Sequence, residues 1–595
     1  MRALVIVVCV VGSVGVVQAA PARTLRGVVT VEHNGSPIAG ASVFTDRGEI
    51  AITDADGYFS LPITARDREI TVVADRHGTR TIAIGAGDMH IELAPVAGAE
   101  VIEVVGKHPE ETKPLSYRLT ADEIRTIPGA GNDILRAAQI LPGVARIPFS
   151  FGGLVLRGAS PRDTAIYLDG IEVPLAFHFG GVTSFYPSGM LADLTLTAGG
   201  FDASFGRAQG GLVTLTMREP RTDRWRMGGA IGLLDSAVQA EGPIAGGGIT
   251  IGVRRSYFDR VVDPFVEDGT PLPSYWDFQI RTSFGDPRKA GRITPMIFGS
   301  VDRVASDSIG VTSAFVRIAA PIVRQWNALT LRVVPWFGVN TLTFSDESGD
   351  EGEEFSRPSY PAGVRAELAR DYLWGHLRGG IEAHGGYVSR TRVRVEGEDP
   401  GSFEGSATAT WVDMAFWAET RIKLDGERFA LKPGIRVENY GLSEQVVFDP
   451  RLNVHQTLSE HVTMRQAIGR FHQPPTPGDV ERAEGNPTLD SSYVDQMSLG
   501  FDVQVAELFG SITGFFQYGN LLGIPVQQQP RPGDPVTPEP DLGGLGPTFQ
   551  LLLEKQLGFP IYRENLGRGR SYGLELLLKR NVGRVFWMVG YTLSS

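Results

Sequence analysis

Cysteine is all but absent: Cys9 is the single one in 595 residues. It sits in an apolar N-terminal segment whose Ile6-Val7-Val8-Cys9 is not a lipoprotein cleavage pattern. Past that segment the chain has no disulfide and no thiolate ligand. Long apolar runs are absent too, apart from the N-terminus. Hydrophobic residues make up 42% of the chain and the mean hydropathy is −0.04, so apolar and polar residues are interleaved. That pattern excludes a transmembrane helix in the body of the chain. A membrane role would have to come from a barrel, the other architecture that satisfies every backbone group in lipid. Basic charge is not in excess: the formal net charge is −12, which argues against nucleic acid as a partner. The 10 histidines are scattered. With no nucleophile–base pair and no ligand cluster in view, the chain is not expected to be an enzyme or to hold a metal or cofactor.

Glycine, by contrast, is plentiful at 73 residues, which suits many turns and close strand crossings. Residues 1–19 read as a secretory signal, with Arg2, an apolar core and a cleavage site at Val17-Gln18-Ala19. Residues 24–94 carry short alternating strands separated by Asp/Gly/Pro turns, the pattern of a small Ig-like β-sandwich, with Phe59 and Leu61 facing inward. Residues 95–114 read as a linker. His108 and Glu111 within it have the spacing of a zinc pair but lack a nearby third ligand. The same linker holds an isolated apolar strand, Val101-Ile102-Glu103-Val104-Val105. It is either the last strand of the sandwich or an extended peptide available to a partner's sheet edge.

A mixed α+β region follows. Thr120 and Glu123 form a capping-box pattern that opens one helix, and Asp133 opens a second that ends at Pro142-Gly143. Glycine-dense motifs come next: Leu156-Arg157-Gly158, then Asp169-Gly170 as a hairpin turn, then Gly199-Gly200, Gly206 and Gly210-Gly211. From about residue 221 onward, roughly seventeen amphipathic strands alternate apolar and polar residues over ten or so positions, the signature of a transmembrane antiparallel β-barrel. Polar gaps near 257–275, 345–360 and 520–568 all follow odd-numbered strands, which places them on one side, opposite the tight turn at Asn581-Val582-Gly583.

The ordered series of glycine motifs between residues 151 and 220 resembles the plug domain of TonB-dependent outer-membrane receptors. Asp449-Pro-Arg-Leu452 and Gly469-Arg-Phe-His-Gln-Pro-Pro resemble landmarks in the barrel of the same family. The resemblance implies a plug over 115–219 and a barrel over 221–595. It further implies a carboxypeptidase-regulatory-like sandwich over 24–94, a periplasmic N-terminal domain, and a TonB box within Val101–Val105. Expected partners are TonB with its inner-membrane proton-driven partners, outer-membrane lipid, and an imported ligand of the iron-siderophore, cobalamin, glycan or peptide class. The rival reading is a binding or adhesion barrel whose plug stays shut.

The chain stops at Gly590-Tyr-Thr-Leu-Ser-Ser595 without the aromatic ending usual in the family, so the barrel is expected to be incomplete by about five of about 22 strands. Arg157, Arg162 and Arg207 are expected to bridge plug to wall carboxylates. Phe177, His178 and Phe179 lie in a plug loop, where they either touch ligand or fill the plug–wall interface. The acidic run from Asp346 to Glu354 lacks EF-hand spacing and reads as a solvated outer loop.

Overall fold

The computed structural model describes residues 23–93 and 116–595, apart from 32–36, 39, 47–48, 55–56, 65–66, 75–79, 86, 146–153, 180, 182, 268–269, 271, 306–308, 327, 347–350, 373, 397–402, 425–427, 482–484, 506, 526–561 and 583–584. The expected secretory signal, the linker with Val101–Val105, and the His108/Glu111 pair therefore lie outside the described residues. The chain divides into two compact units, 1–111 and 112–595.

The first unit contains two small sheets. One is ordered Tyr58–Ile63, Arg23–Val31, Met89–Leu93, and the other Ile50–Ile52, Ser42–Thr45, Glu69–Val73, Arg80–Ala83. Alternation along Tyr58–Ile63 turns Phe59, Leu61 and Ile63 inward onto Leu25, Val29, Val43, Ile70 and Ile91. The sequence pattern made the same division of faces.

The second unit has an inner domain and a wall. The inner domain is a mixed five-stranded sheet ordered Ile171–Glu172, Thr164–Leu168, Gly211–Met217, Leu191–Thr197, Ser116–Thr120. Thr164–Leu168 and Gly211–Met217 run parallel, and the other pairs are antiparallel. The helix Ala121–Thr126 opens with the expected capping box, in which Thr120 and Glu123 satisfy each other's backbone N–H. Asp133 caps the helix Ile134–Ala138 through the N–H groups of Leu135 and Arg136. Asp169-Gly170 turns the chain with both residues at positive φ, as a two-residue hairpin matching strand twist requires.

The wall is one antiparallel sheet of twenty strands, from Arg226–Ile231 to Val585–Ser594. Three pairs of neighbours in sequence (Gly291–Ile293 with Met296–Ala305, Ile309–Ala319 with Ile322–Trp326, Glu351–Ser356 with Ser359–Tyr372) are single crossings broken at Pro295, Pro321 and Pro358, which leaves seventeen crossings. Proline donates no ladder hydrogen bond, so each one interrupts the strand without ending the crossing. The two outermost strands, Arg226–Ile231 and Val585–Ser594, each pair on one side among the described residues.

The faces of the wall are inverted relative to a water-soluble sheet. In Gln445–Thr457, Val446 is 72% exposed, whereas Asp449 is 1% exposed. In Phe403–Leu424, Val412, Met414 and Phe416 face out while Asp413, Trp417 and Glu419 face in. An apolar exterior around a polar interior is the arrangement lipid demands. No connection on one rim exceeds four residues, while the other rim carries 257–271, 474–491 and 526–562. The expected asymmetry is therefore present, with one correction. The polar stretch at 345–360 is mostly strand: Leu329–Asp346 and Glu351–Ser356 continue the hairpin through Asp346↔Glu353. Acidic residues tolerate a strand that carries them past the apolar belt into water.

Candidate functional site

Side chains of the wall reach the inner domain from nearly every crossing. Gln239, near the start of the wall, lies beside Gly189, and Thr592, near its end, accepts a hydrogen bond from Gly143 N at 2.8 Å. A compact domain touched by strands from both ends of one sheet must sit within that sheet's curve. Much of the contact is charged. Arg157 grips Glu575 with two hydrogen bonds, Nε–Oε1 at 2.7 Å and Nη2–Oε2 at 2.9 Å, with side chains 1% and 0% exposed. It also donates to Ser498 Oγ at 3.0 Å and lies over the Phe515 ring. Arg162 pairs with Asp479 at 2.9 Å, and Arg563 holds the other oxygen of that carboxylate at 3.1 Å. Arg207 pairs with Glu382 at 2.9 Å, which Arg436 and Arg365 also contact. All three arginines expected to bridge to wall-side carboxylates thus do so.

Backbone geometry prepares these contacts. Arg157, Asp169 and Arg207 all have φ near +50°, each beside a glycine, in a region costly for residues with a Cβ. A Cβ on Gly206 would overlap Arg436 and Glu438 of the wall, so the domain approaches the wall there through bare backbone. Gly199 and Gly200 lie against Gln496 and Ala467 of the wall. Gly210 and Gly211 pack inside the domain on Ala159 and Leu156, and Gly158 lies beside Ser571. Leu156 itself is fully buried in the domain's apolar core. Asp169 accepts from Met217 N at 3.1 Å, and its carbonyl accepts from Arg332 at 2.8 Å.

Two clusters have wall partners that sequence reasoning did not name. Asp202 is clamped by Lys432 at 2.7 Å and Arg378 at 2.5 Å, while Arg451 donates to the carbonyls of Phe201, Asp202 and Phe205 and lies over the Phe201 and Phe471 rings. Burial favours the protonated form of Asp202, but Lys432 and then Arg378 outweigh it and hold its pKa down to about 2. The second cluster surrounds His178. Phe177, His178 and Phe179 are all buried and present no surface to a ligand in this arrangement. The His178 ring faces Asp302 at 2.8 Å and Asp277 at 3.1 Å, under Tyr275 stacked at 3.8 Å.

Open space lies elsewhere. A cavity of about 430 Å³ separates the tips of the inner domain, at Arg157–Asp163 and Gln209, from Gln473, Leu489, Val494, Leu522 and Asn565 of the wall. These wall residues adjoin the connections 474–491 and 526–562, so the cavity is on the long-connection side. The sequence offered no signal for it, because its lining comes from six separated segments.

A charged, ion-paired domain enclosed by a sheet with a lipid-type exterior defines a plugged β-barrel. Residues 324–595 match the family described as TonB dependent receptor-like, beta-barrel. Over about 80% of its length the chain has the fold of solved receptors. The siderophore receptor PirA from Pseudomonas aeruginosa is 18% identical with a TM-score of 0.58, over 81% of this chain and 85% of that one. PirA from Acinetobacter baumannii is 13% identical with a TM-score of 0.59, over 80% of each chain. The ferric citrate transporter FecA in unliganded form is 11% identical with a TM-score of 0.57, over 81% of this chain and 78% of that one. No curated protein matches the chain.

Proposed function

We propose that the chain is a TonB-dependent outer-membrane receptor that takes up a scarce ligand and releases it into the periplasm. The observation that carries this reading is the nature of the plug–wall contact. It contains numerous ion pairs and hydrogen bonds, which water can replace once the plug moves, whereas a continuous apolar seam would have to be exposed at full hydrophobic cost. Such a plug is held firmly yet is removable by work.

The ligand enters from the long-connection side and meets the cavity between Arg157–Asp163 and the wall. It belongs to the iron-siderophore, cobalamin, glycan or peptide class. The segment Val101–Val105 pairs with TonB by strand addition, which a proline within it disrupts.

The test is uptake by cells carrying the chain, with and without TonB, and with Val104→Pro. Uptake that disappears in both backgrounds while surface binding persists supports the proposal. Binding without any import in TonB-positive cells would establish the adhesion reading in its place.

A further inference from the structure

On the side of the wall away from the plug, the outer face is dented by an apolar groove of about 1100 Å³. It lies along one cross-strand row. Ile280 pairs with Ile297, Ile297 with Ile318, and Ile318 with Phe337. Phe337 pairs in turn with Ala362, Ala362 with Gly385, and Gly385 with Val412. The row therefore falls from branched and aromatic side chains to a methyl and a hydrogen, then rises again. Ala362, Gly385 and the nearby Ala383 form the floor, with Phe337 on one flank and Val412 on the other.

The groove opens outward. Ile318, Phe337 and Val412 are exposed, while Arg317 and Asp413, the charged neighbours of Ile318 and Val412, are buried on the inner face and take no part in the lining. Trp336 and Trp411 close it from behind, packed on Gly363 and Gly386 of the adjacent strands.

Its depth can be read from the outward positions of the same strands. Toward the long-connection rim, Tyr360 and Tyr387 face out with their rings stacked at 6.4 Å. Beyond them the outward positions become hydroxyls, where Ser389 pairs with Thr408 and Thr391 with Ser406. Toward the other rim, Leu368, Ile381 and Phe416 continue the exposed apolar band. Tyrosine favours the level where lipid meets water. The groove thus lies just beneath that level, in the leaflet on the long-connection side.

Given a wall that spans a membrane, we propose that this groove is a lipid site: it holds one acyl chain of a lipid from that leaflet, with the headgroup at the level of Tyr360 and Tyr387.

The lining selects such an occupant. Among the described residues it contains no carboxylate, guanidinium or ammonium group, and its hydroxyls are those of Thr282 and Thr410. An acyl chain needs no hydrogen bond and is flexible enough to follow the floor. Its volume is that of a ligand site, for which about 300–1,000 Å³ is usual. Left empty, the lining forfeits its dispersion contacts. A second copy of the chain does not fill the gap, because a two-fold interface sets each patch against itself and would place groove against groove. A chain on the floor touches Phe337, Val412 and the backbone between them, whereas on a level stretch of wall it touches one side only.

The test is native mass spectrometry of the full chain, released from detergent micelles and titrated with a diacyl phosphatidylethanolamine. A one-to-one adduct that saturates is expected. The single-chain lyso form should give it too, and free phosphoethanolamine should not compete, because the chain and not the headgroup is held. Ala362→Trp fills the floor and should lower the adduct about tenfold at fixed lipid concentration, the loss that follows from displacing about five chain carbons. Leu368→Trp puts the same side chain on the same strand and outward face but outside the groove, and should leave the adduct unchanged. Circular dichroism checks that both variants keep their strand content. Adducts that accumulate without saturating, or an equal response to the two tryptophans, would overturn the proposal. So would a dimer of the chain that Ala362→Trp abolishes, which would give the groove to a second copy. The measurement needs neither cargo nor TonB, so it stands or falls separately from import.

Discussion

Replacing Arg157 by alanine removes one partner of a fully buried pair. The geometry sets the size of the effect: two hydrogen bonds of 2.7 and 2.9 Å to Glu575, a third of 3.0 Å to Ser498, and the Phe515 face behind the guanidinium. Among the described residues, Glu575 would keep only Tyr117 Oη, 3.5 Å away, as a partner. Stranding a buried charge in this way costs about 3–5 kcal/mol, whereas an exposed pair is worth about 1 kcal/mol or less. At 1.4 kcal/mol per tenfold, the population with the plug detached at a fixed urea concentration should rise by about two to three and a half orders of magnitude. The assay is a urea titration of the full chain in micelles, followed through the mobility of a nitroxide on Pro128→Cys in the Cys9→Ser background. Arg157→Lys should fall between, since an ammonium cannot span both carboxylate oxygens. Arg157→Met combined with Glu575→Leu should recover much of the loss, because no charge is then stranded. A loss below about 1 kcal/mol for Arg157→Ala would refute the reasoning, since the pair would then behave as if it were in water.

Gly143→Ala should act on the same lock from the other side, because Gly143 has φ +80° and a Cβ there would overlap the Glu575 carboxylate; the same titration should show earlier plug release. Asp202 gives the hold of the plug an acid limit. With its pKa lowered to about 2 from 3.8, its contribution is present above pH 4 and disappears as pH falls toward 2, roughly 2 kcal/mol, and Asp202→Asn should flatten that part of the pH profile. Val494→Trp should fill part of the 430 Å³ cavity and reduce ligand uptake while leaving the urea midpoint for plug release unchanged, since Val494 makes none of the ion pairs.

Local chemistry was legible in the sequence and distant pairing was not. The capping box at Thr120, the Asp169-Gly170 turn and the alternation of Phe59 and Leu61 each depend on neighbours a few positions away. The structure contains all three. Strand alternation also places the long connections on one rim, although the acidic run near 350 reads as a gap in the sequence and extends a hairpin in the structure. Arg157, Arg162 and Arg207 were recognisable as donors, but Glu575, Asp479 and Glu382 were not recognisable as their acceptors. Most wall strands carry polar residues at alternate positions, and the register against the plug decides which of them meets an arginine, while Asp479 comes from the connection 474–491. His178 carried a partial signal: flanking by Phe177 and Phe179 points to burial, yet nothing nearby in sequence announces Asp277 or Asp302.

The separation of Arg157 from Glu575 along the chain, 418 positions, has a consequence for biogenesis. The first member emerges from the ribosome long before the second, and the wall strand bearing Glu575 pairs only after the preceding crossings are in register. Contacts so distant in sequence form late and slowly. Until then the domain's guanidinium groups remain hydrated, so the nascent chain awaits insertion with its inner domain ungripped, and the wall strand bearing Glu575 is among the last to lock it.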